Sequence, residues 1–436
     1  MGHLVGKDIY RKLAQKIDGT PVRTPDTPAF RALLKALYRP GEADLVARMP
    51  YRPATLARIA QVTGEAPDRL EATLNDLCHR GLVLDIWDGS QWLYMVSPLV
   101  IGFFEFSMMR TRGDLDHARW AQLFDAYMFG ERDFFDANFG EGQQVSIMRA
   151  MPHEETVHPM HQSEILDYER ASRLIEERDL FAVGLCSCRH EKEHLNARGC
   201  DTPLETCTST GQSAAFLIRN GFARQASREE VRDILQESRR RGLVLSTDNV
   251  QDEPGFICHC CGCCCNLLRG VRETGYTGIL VSSNYLAQCD AAACNGCGKC
   301  VRACPIDAIR LLDTGATAKP GGDAVRAPRK PRGKALIDTA ACLGCGVCAL
   351  SCTTGALTLV PREKRVLHPA DSFERVILQS LERNTFQNLV FDNPNSRTQA
   401  FMRGLVGGFL RLTPVKRALM SEALRSRFLG AIKGMG

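Results

Sequence analysis

Long unbroken apolar runs are missing from this 436-residue chain. The nearest approach, WLYMVSPLVIGFFEFSMM at residues 92–109, is interrupted by Ser97, Pro98, Gly102 and Glu105 within the roughly 20 residues that a membrane-spanning helix needs. It reads as buried strand followed by helix. The first residues, MGHLVGKDIYRKLAQKIDG, lack the apolar stretch and small-residue cleavage site of a secretion signal, so a cytoplasmic chain is expected. An excess of one charge is lacking too. Fifty-five Lys and Arg against 50 Asp and Glu leave +5, too little on this length to mark a nucleic-acid or membrane surface by itself.

Cysteine is what the chain has in abundance. There are 20, and 11 of them fall between Cys258 and Cys304. FICHCCGCCCNLL, residues 256–268, puts six into eight positions: Cys258, Cys260, Cys261, Cys263, Cys264 and Cys265. Adjacent cysteines rarely reach disulfide geometry with one another, and a disulfide scaffold spreads its bridges through a small secreted chain. Clustering points to a soft metal or an iron–sulfur cluster in a reducing compartment.

The pattern along the chain is that of an α+β multidomain protein. Between residues 27 and 96, FRALLKALY and EADLVARM carry apolar residues at helical spacing. PATLARIAQVTG runs from Pro53 to Gly64 and PDRLEATLNDLCHRG from Pro67 to Gly81. LVLDIW and QWLYMV then flank Asp88-Gly89-Ser90. Helices followed by a hairpin make a winged-helix-like domain. Such a domain reads DNA or serves as a packing or dimerisation module. The candidate reading helix sets Asp68, Glu71 and Asp76 against Arg69 and Arg80, with Glu65 just before it, so packing is expected and DNA is not.

Residues 97–180 read as a helical connecting region, with HARWAQLFDAYMFG and SEILDYERASRLIEERD as its clearest segments. Its His153, His158 and His161 miss the HExxH spacing and are expected to be ordinary, satisfied histidines. Residues 181–290 are expected to form a central helical, Cys-rich domain that binds a metal or a cluster. It includes a helix opened by the capping box of Ser227 and Glu230 and stopped at Gly242. Residues 291–362 form a ferredoxin-like domain and residues 363–436 a helical tail.

The strongest motif is CNGCGKCVRACP. Cys294, Cys297, Cys300 and Cys304 are spaced C-x2-C-x2-C-x3-C before Pro305, and the pattern recurs 48 residues on (342 − 294) as Cys342, Cys345, Cys348 and Cys352. Two such repeats are the signature of a bacterial two-cluster ferredoxin module. With MPYRPATLARIAQVTG, GFFEFSMMR, CSCRH and FICHCCGCCC before them, the arrangement over roughly residues 27–362 resembles the large multi-cluster 4Fe–4S ferredoxin-type proteins of bacteria and archaea. That resemblance implies electron transfer and names no substrate. The likeness to the ferredoxin module implies that Cys294, Cys297, Cys300 and Cys352 hold one [4Fe–4S] cluster, and that Cys342, Cys345, Cys348 and Cys304 hold the other. Thr353 stands where such modules often have a second proline, and a basic loop, residues 314–334, separates the repeats.

Outside the repeats, Cys258, Cys261 and Cys264 keep a C-x2-C-x2-C register, with Cys260 and Cys263 interleaved and Cys265 beside them. LCSCRHEKEHLNARGCDTPLETC adds Cys186, Cys188, Cys200 and Cys207, with His190 and His194 nearby. One cubane uses four thiolates, so these groups are expected to fold around at least one further metal centre, with iron–sulfur the first expectation and zinc the second. Cys78 and Cys289 read as ordinary structural cysteines.

Three functions remain open on the sequence: an electron carrier or wiring subunit of an oxidoreductase, a redox-responsive regulator, and an oxidoreductase with an open metal site among residues 186–265. The expected partner is an acidic redox protein, steered by Lys319, Arg326, Arg329, Lys330, Arg332 and Lys334 of the basic loop. In the tail, FMRGLVGGFLRL aligns Phe401, Leu405, Phe409 and Leu412 on one helical face. Packing of that face on its own protein is expected, and peripheral contact with the inner face of a membrane is the alternative.

Overall fold

A computed structural model of the chain describes residues 2–312 and 333–421. Local signals set the N-terminal helices. Thr27 accepts from the amide of Phe30 at the head of helix Pro28–Leu37, and Thr55 accepts from that of Arg58 at the head of Leu56–Thr63, which Gly64 ends at φ 74. Helix Pro67–His79 follows, with Leu70, Leu74, Leu77 and Cys78 turned inward. The short strand β1 (Ala54–Thr55) and the hairpin of β2 (Val83–Trp87) and β3 (Trp92–Val96) form an antiparallel sheet in the order β1-β3-β2. Asp88 closes the hairpin by accepting from the amides of Ser90 and Gln91, both at 2.8 Å.

The centre of the molecule is a six-stranded antiparallel sheet. Its strands are β4 (Met148–Met151), β5 (Phe181–Leu185), β6 (Glu205–Thr210), β7 (Ala223–Ala226), β8 (Val244–Asp248) and β9 (Phe256–Cys260), in the order β4-β8-β9-β6-β5-β7. The expectation of a helical Cys-rich domain is thereby corrected. FAVGL and VLSTD are short apolar runs that a buried strand and a buried helix share, and burial from both sides makes them strands here. SEILDYERASRLIEERD is broken into the 3-10 turn Asp167–Glu169 and the short helix Ala171–Glu176, and Glu169, the last residue of the turn, points inward to accept from the amide of Asn284 at 2.8 Å. Helix Arg228–Arg240 is capped by Ser227 as the sequence indicates.

The second half closes with two small antiparallel ribbons. β10 (Tyr285–Cys289) is the partner of β13 (Leu357–Pro361), and β11 (Ile309–Leu312) that of β12 (Lys334–Ile337). Of the basic loop's charged residues, Lys334 opens β12; Lys319, Arg326, Arg329, Lys330 and Arg332 lie outside the described residues. A continuous core runs from Leu13 and Phe30 through Phe104 and Trp120 to Ile306 and Val347, joining the N-terminal helices to the central sheet and the ferredoxin repeats.

His368 ties the tail to this core. Its Nδ1 meets Asn249 Oδ1 at 2.7 Å, and burial, with Arg149 nearby, pushes its pKa down to about 3. The ring is neutral in the fold and protonates freely in the unfolded chain, so its contribution is intact above about pH 6.5 and is lost progressively as pH falls toward 3. His368→Gln is expected to flatten the acid limb of stability, by about 1.4 kcal/mol per pH unit once the unfolded imidazole is fully protonated, between about pH 5.5 and 4.5. Urea unfolding of both proteins at several pH values checks it; parallel slopes contradict it.

The tail packs through Ile377, Leu381, Phe386 and Leu410. The stripe expected to pack on its own protein does not do so: Phe401 is 68 % exposed, Leu405 57 %, Phe409 56 % and Leu412 51 %. Arg403 Nη1 bonds the carbonyls of Phe391 at 2.7 Å and Asn393 at 2.9 Å, which turns the opposite side of helix Arg397–Leu410 inward. Among the described residues, no helix is long and apolar enough to cross a membrane.

Candidate metal centres

The two ferredoxin repeats fold around two cavities. Cys294, Cys297 and Cys300 line one together with Cys352, and Cys342, Cys345 and Cys348 line the other together with Cys304. Each cavity thus draws three cysteines from one repeat and one from the other. Glycine permits the tight wrap: at Gly344, φ is 65, and a Cβ would run into Tyr285 O and Ser283 Oγ. The cavities differ in depth. Cys297 is exposed, whereas Cys345 and Cys348 are buried, and burial pushes the Cys345 thiol up to about 12. Ligation requires the thiolate, so loading this set with metal releases protons.

The ten remaining clustered cysteines divide between a large cavity and a compact quartet. Strand alternation puts Cys258 and Cys260 of β9 on one face, beside Cys207 of β6. Cys186 occupies the N-cap of helix Ser187–His194 with Cys188 in its first turn, and Cys265 the N-cap of helix Asn266–Thr274. These six, with Cys261 and Cys264, line a cavity larger than either ferredoxin cavity. Its far wall is apolar, made by Val100, Ile101, Phe104, Phe124 and Met128.

The electrostatics of this cavity favour an anionic occupant. Two helix N-termini, each a partial positive charge, open on it. Arg189 is fully buried; burial works against its charge, and the neighbouring Cys186 and Cys261 outweigh it, so its pKa is raised. Arg189 Nε and Asn266 Oδ1 are buried without a protein partner among the described residues, which fits a thiolate-ligated group beside them.

Glu105 is the functional candidate that sequence reading treated only as a break in an apolar run. It lines the same cavity, and burial pushes its carboxyl up to about 7. Gly102 donates to its Oε2 at 2.9 Å, and adjacent Ile101 holds φ 52, a left-handed backbone that β-branched residues avoid. The one signal available was a lone carboxylate within GFFEFSMM.

Cys200, Cys261, Cys263 and Cys264 form the quartet. Cys200 Sγ lies 3.6 Å from Cys261 Sγ and 3.9 Å from Cys264 Sγ, and Cys263 Sγ lies 3.6 Å from Cys264 Sγ. All four sulfurs fall within 4.8 Å of one another. His190 and His153 have partners other than these sulfurs. His190 faces the carbonyl of Met108 and the Nε2 of His194, and His153 faces the carbonyl of Leu243.

Residues 293–363 match the family model of the 4Fe-4S dicluster domain. A ferredoxin-type 4Fe–4S domain therefore occupies that part of the chain, preceded by a Cys-rich site in a mixed helix and sheet framework. No curated protein and no solved structure matches the chain.

Proposed function

We propose that this chain is an iron–sulfur electron-transfer protein with two [4Fe–4S] clusters in its ferredoxin domain and a third iron–sulfur centre in the large cavity. The observation that carries the reading is the crossed sharing of cysteines between two cavities of nearly equal size. Cys294, Cys297, Cys300 and Cys352 would hold the outer cluster, and Cys342, Cys345, Cys348 and Cys304 the inner one. Cys186, Cys188, Cys207, Cys258, Cys260 and Cys265 would hold the third centre. Bound there, such groups supply one-electron redox chemistry.

The protein's own residues support a direction for the wiring. Exposed Cys297 brings the outer set to the surface. From the inner set, the amide of His153 donates to Cys345 O at 3.1 Å and its Nε2 lies 2.8 Å from Leu243 O. The next residue, Val244, pairs with Cys260 across β8 and β9. A short packed path thus joins the inner cavity to the large one. An acidic redox protein remains the proposed partner at the outer end, and the exposed tail stripe supports peripheral attachment.

The N-terminal helices and hairpin support a winged-helix-like packing module. The exposed side of helix Pro67–His79 carries Asp68, Glu71 and Asp76 against Arg69, which repels phosphates. The hairpin is held to the central domain instead, by Asp85 with Arg219 at 2.7 Å and with Asn220 at 3.0 Å.

The cavity's apolar wall and Glu105 favour a second reading, in which the third centre meets a small substrate. Anaerobic iron and sulfide quantification with redox-titrated electron paramagnetic resonance tests the first. More than about eight irons and mutually coupled reduced [4Fe–4S] signals are expected. Iron near zero with stoichiometric zinc would overturn it.

A further inference from the structure

Ten clustered cysteines exceed what one iron–sulfur centre needs, and the sulfur spacings divide them. We infer that Cys200, Cys261, Cys263 and Cys264 form a mononuclear structural zinc site, separate from the iron–sulfur cavity that they border. The argument is one of edge length. Four thiolates at about 2.3 Å from a tetrahedral ion are about 3.8 Å from one another. Three of the quartet's six edges are 3.6, 3.9 and 3.6 Å, and all six are within 4.8 Å. In a cubane each thiolate sits on a different iron, which spreads the sulfurs farther apart. The chain supplies its own comparison: among the described residues, the quartet is the one group of His, Cys, Asp or Glu whose ligand atoms all lie within 4.8 Å, and neither ferredoxin set contracts to that extent.

The surroundings fit a closed site. Four protein sulfurs fill the tetrahedron and leave no open position, the mark of structural rather than catalytic zinc. Cys200, Cys261 and Cys264 pack with Leu243 in a small apolar cluster. Four thiolates on a divalent ion leave a net double negative charge, and Arg189 Nη1, 3.9 Å from Cys261 Sγ, faces it as a donor. Gly199 allows the two ligand loops to meet, since a Cβ on it would lie 3.0 Å from Cys263 Cβ.

The position implies a purpose. The turn from Cys261 to Cys264 supplies two residues to the wall of the large cavity. Arg272 Nη1 bonds both Gly262 O and Pro305 O at 2.7 Å, joining that turn to the residue after Cys304. A metal clasp on Cys200 would therefore fix the cavity wall and its junction with the ferredoxin domain at once.

Cys200 and Cys263 provide the test, because neither lines the large cavity. The full chain, purified anaerobically without added metal, is analysed for zinc and iron by mass spectrometry and by zinc-edge X-ray absorption. One zinc per chain with four sulfur neighbours at about 2.3 Å is expected. Cys200→Ser and Cys263→Ser should each lose that zinc and keep the ferredoxin resonance signals. Absence of zinc in the wild-type chain, a mononuclear iron in its place, or zinc retained in both variants would overturn the inference. The wild-type absorption spectrum stands even if a variant fails to fold. Failure of the iron–sulfur reading shows separately, in the iron count.

Discussion

Cys304→Ser is expected to remove the cluster of the second repeat and to spare that of its own. Iron should fall by about four per chain, because a [4Fe–4S] cubane is held by four thiolates and the serine hydroxyl is a poor substitute for the fourth. The reason lies in the packing of the repeats. Cys304 ends helix Lys299–Ala303 and lines the cavity of Cys342, Cys345 and Cys348, while the three cysteines before it line the other. A double variant separates this from simple proximity. Adding Cys342→Ser to Cys304→Ser should cost no further iron, since both act on one cluster, whereas adding Cys294→Ser should remove about four more. If the costs are exchanged, each repeat holds its own cluster and the shared arrangement is wrong.

The second large effect is expected in the central sheet. Cys258→Ser combined with Cys260→Ser should abolish all iron beyond about eight per chain, leaving the ferredoxin signals and the zinc in place. These two residues share one face of β9, with His259 between them bonded on the other side to Ser238 Oγ at 2.7 Å and Thr208 Oγ1 at 3.1 Å. The strand itself is anchored by β6 and β8, so replacing sulfur with oxygen on one face leaves its backbone pairing intact. Separate metal analysis and resonance spectra of the double variant decide the matter. Unchanged iron would mean that the large cavity holds no iron–sulfur centre.

The ferredoxin domain was legible in the sequence because its information is local. Three cysteines two residues apart and a fourth farther on state their spacing whatever surrounds them. Caps were legible for the same reason: Gly64, Ser227 and the Asp88 turn act on their own neighbours. The Cys-rich site was legible in composition and opaque in arrangement. Cys200 meets Cys261 across 61 residues, and nothing near Cys200 says which of six later cysteines it will reach. The interleaved register of Cys258 to Cys265 is resolved only once β9 ends at Cys260 and the chain turns. The tail misled for a related reason. An apolar stripe and a basic flank fix that a helix is two-sided, and it took the carbonyls of Phe391 and Asn393, both held by Arg403, to decide which side faces in.

Anomalous X-ray scattering from crystals of the anaerobically purified chain, recorded across the iron and zinc absorption edges, tests the central claim most directly. Three iron loci are expected: one among Cys294, Cys297, Cys300 and Cys352, one among Cys342, Cys345, Cys348 and Cys304, and one in the cavity ringed by Cys186, Cys188, Cys207, Cys258, Cys260 and Cys265. The zinc edge should reveal a single further site among Cys200, Cys261, Cys263 and Cys264. Two iron loci alone, with no metal in that cavity, would contradict the account.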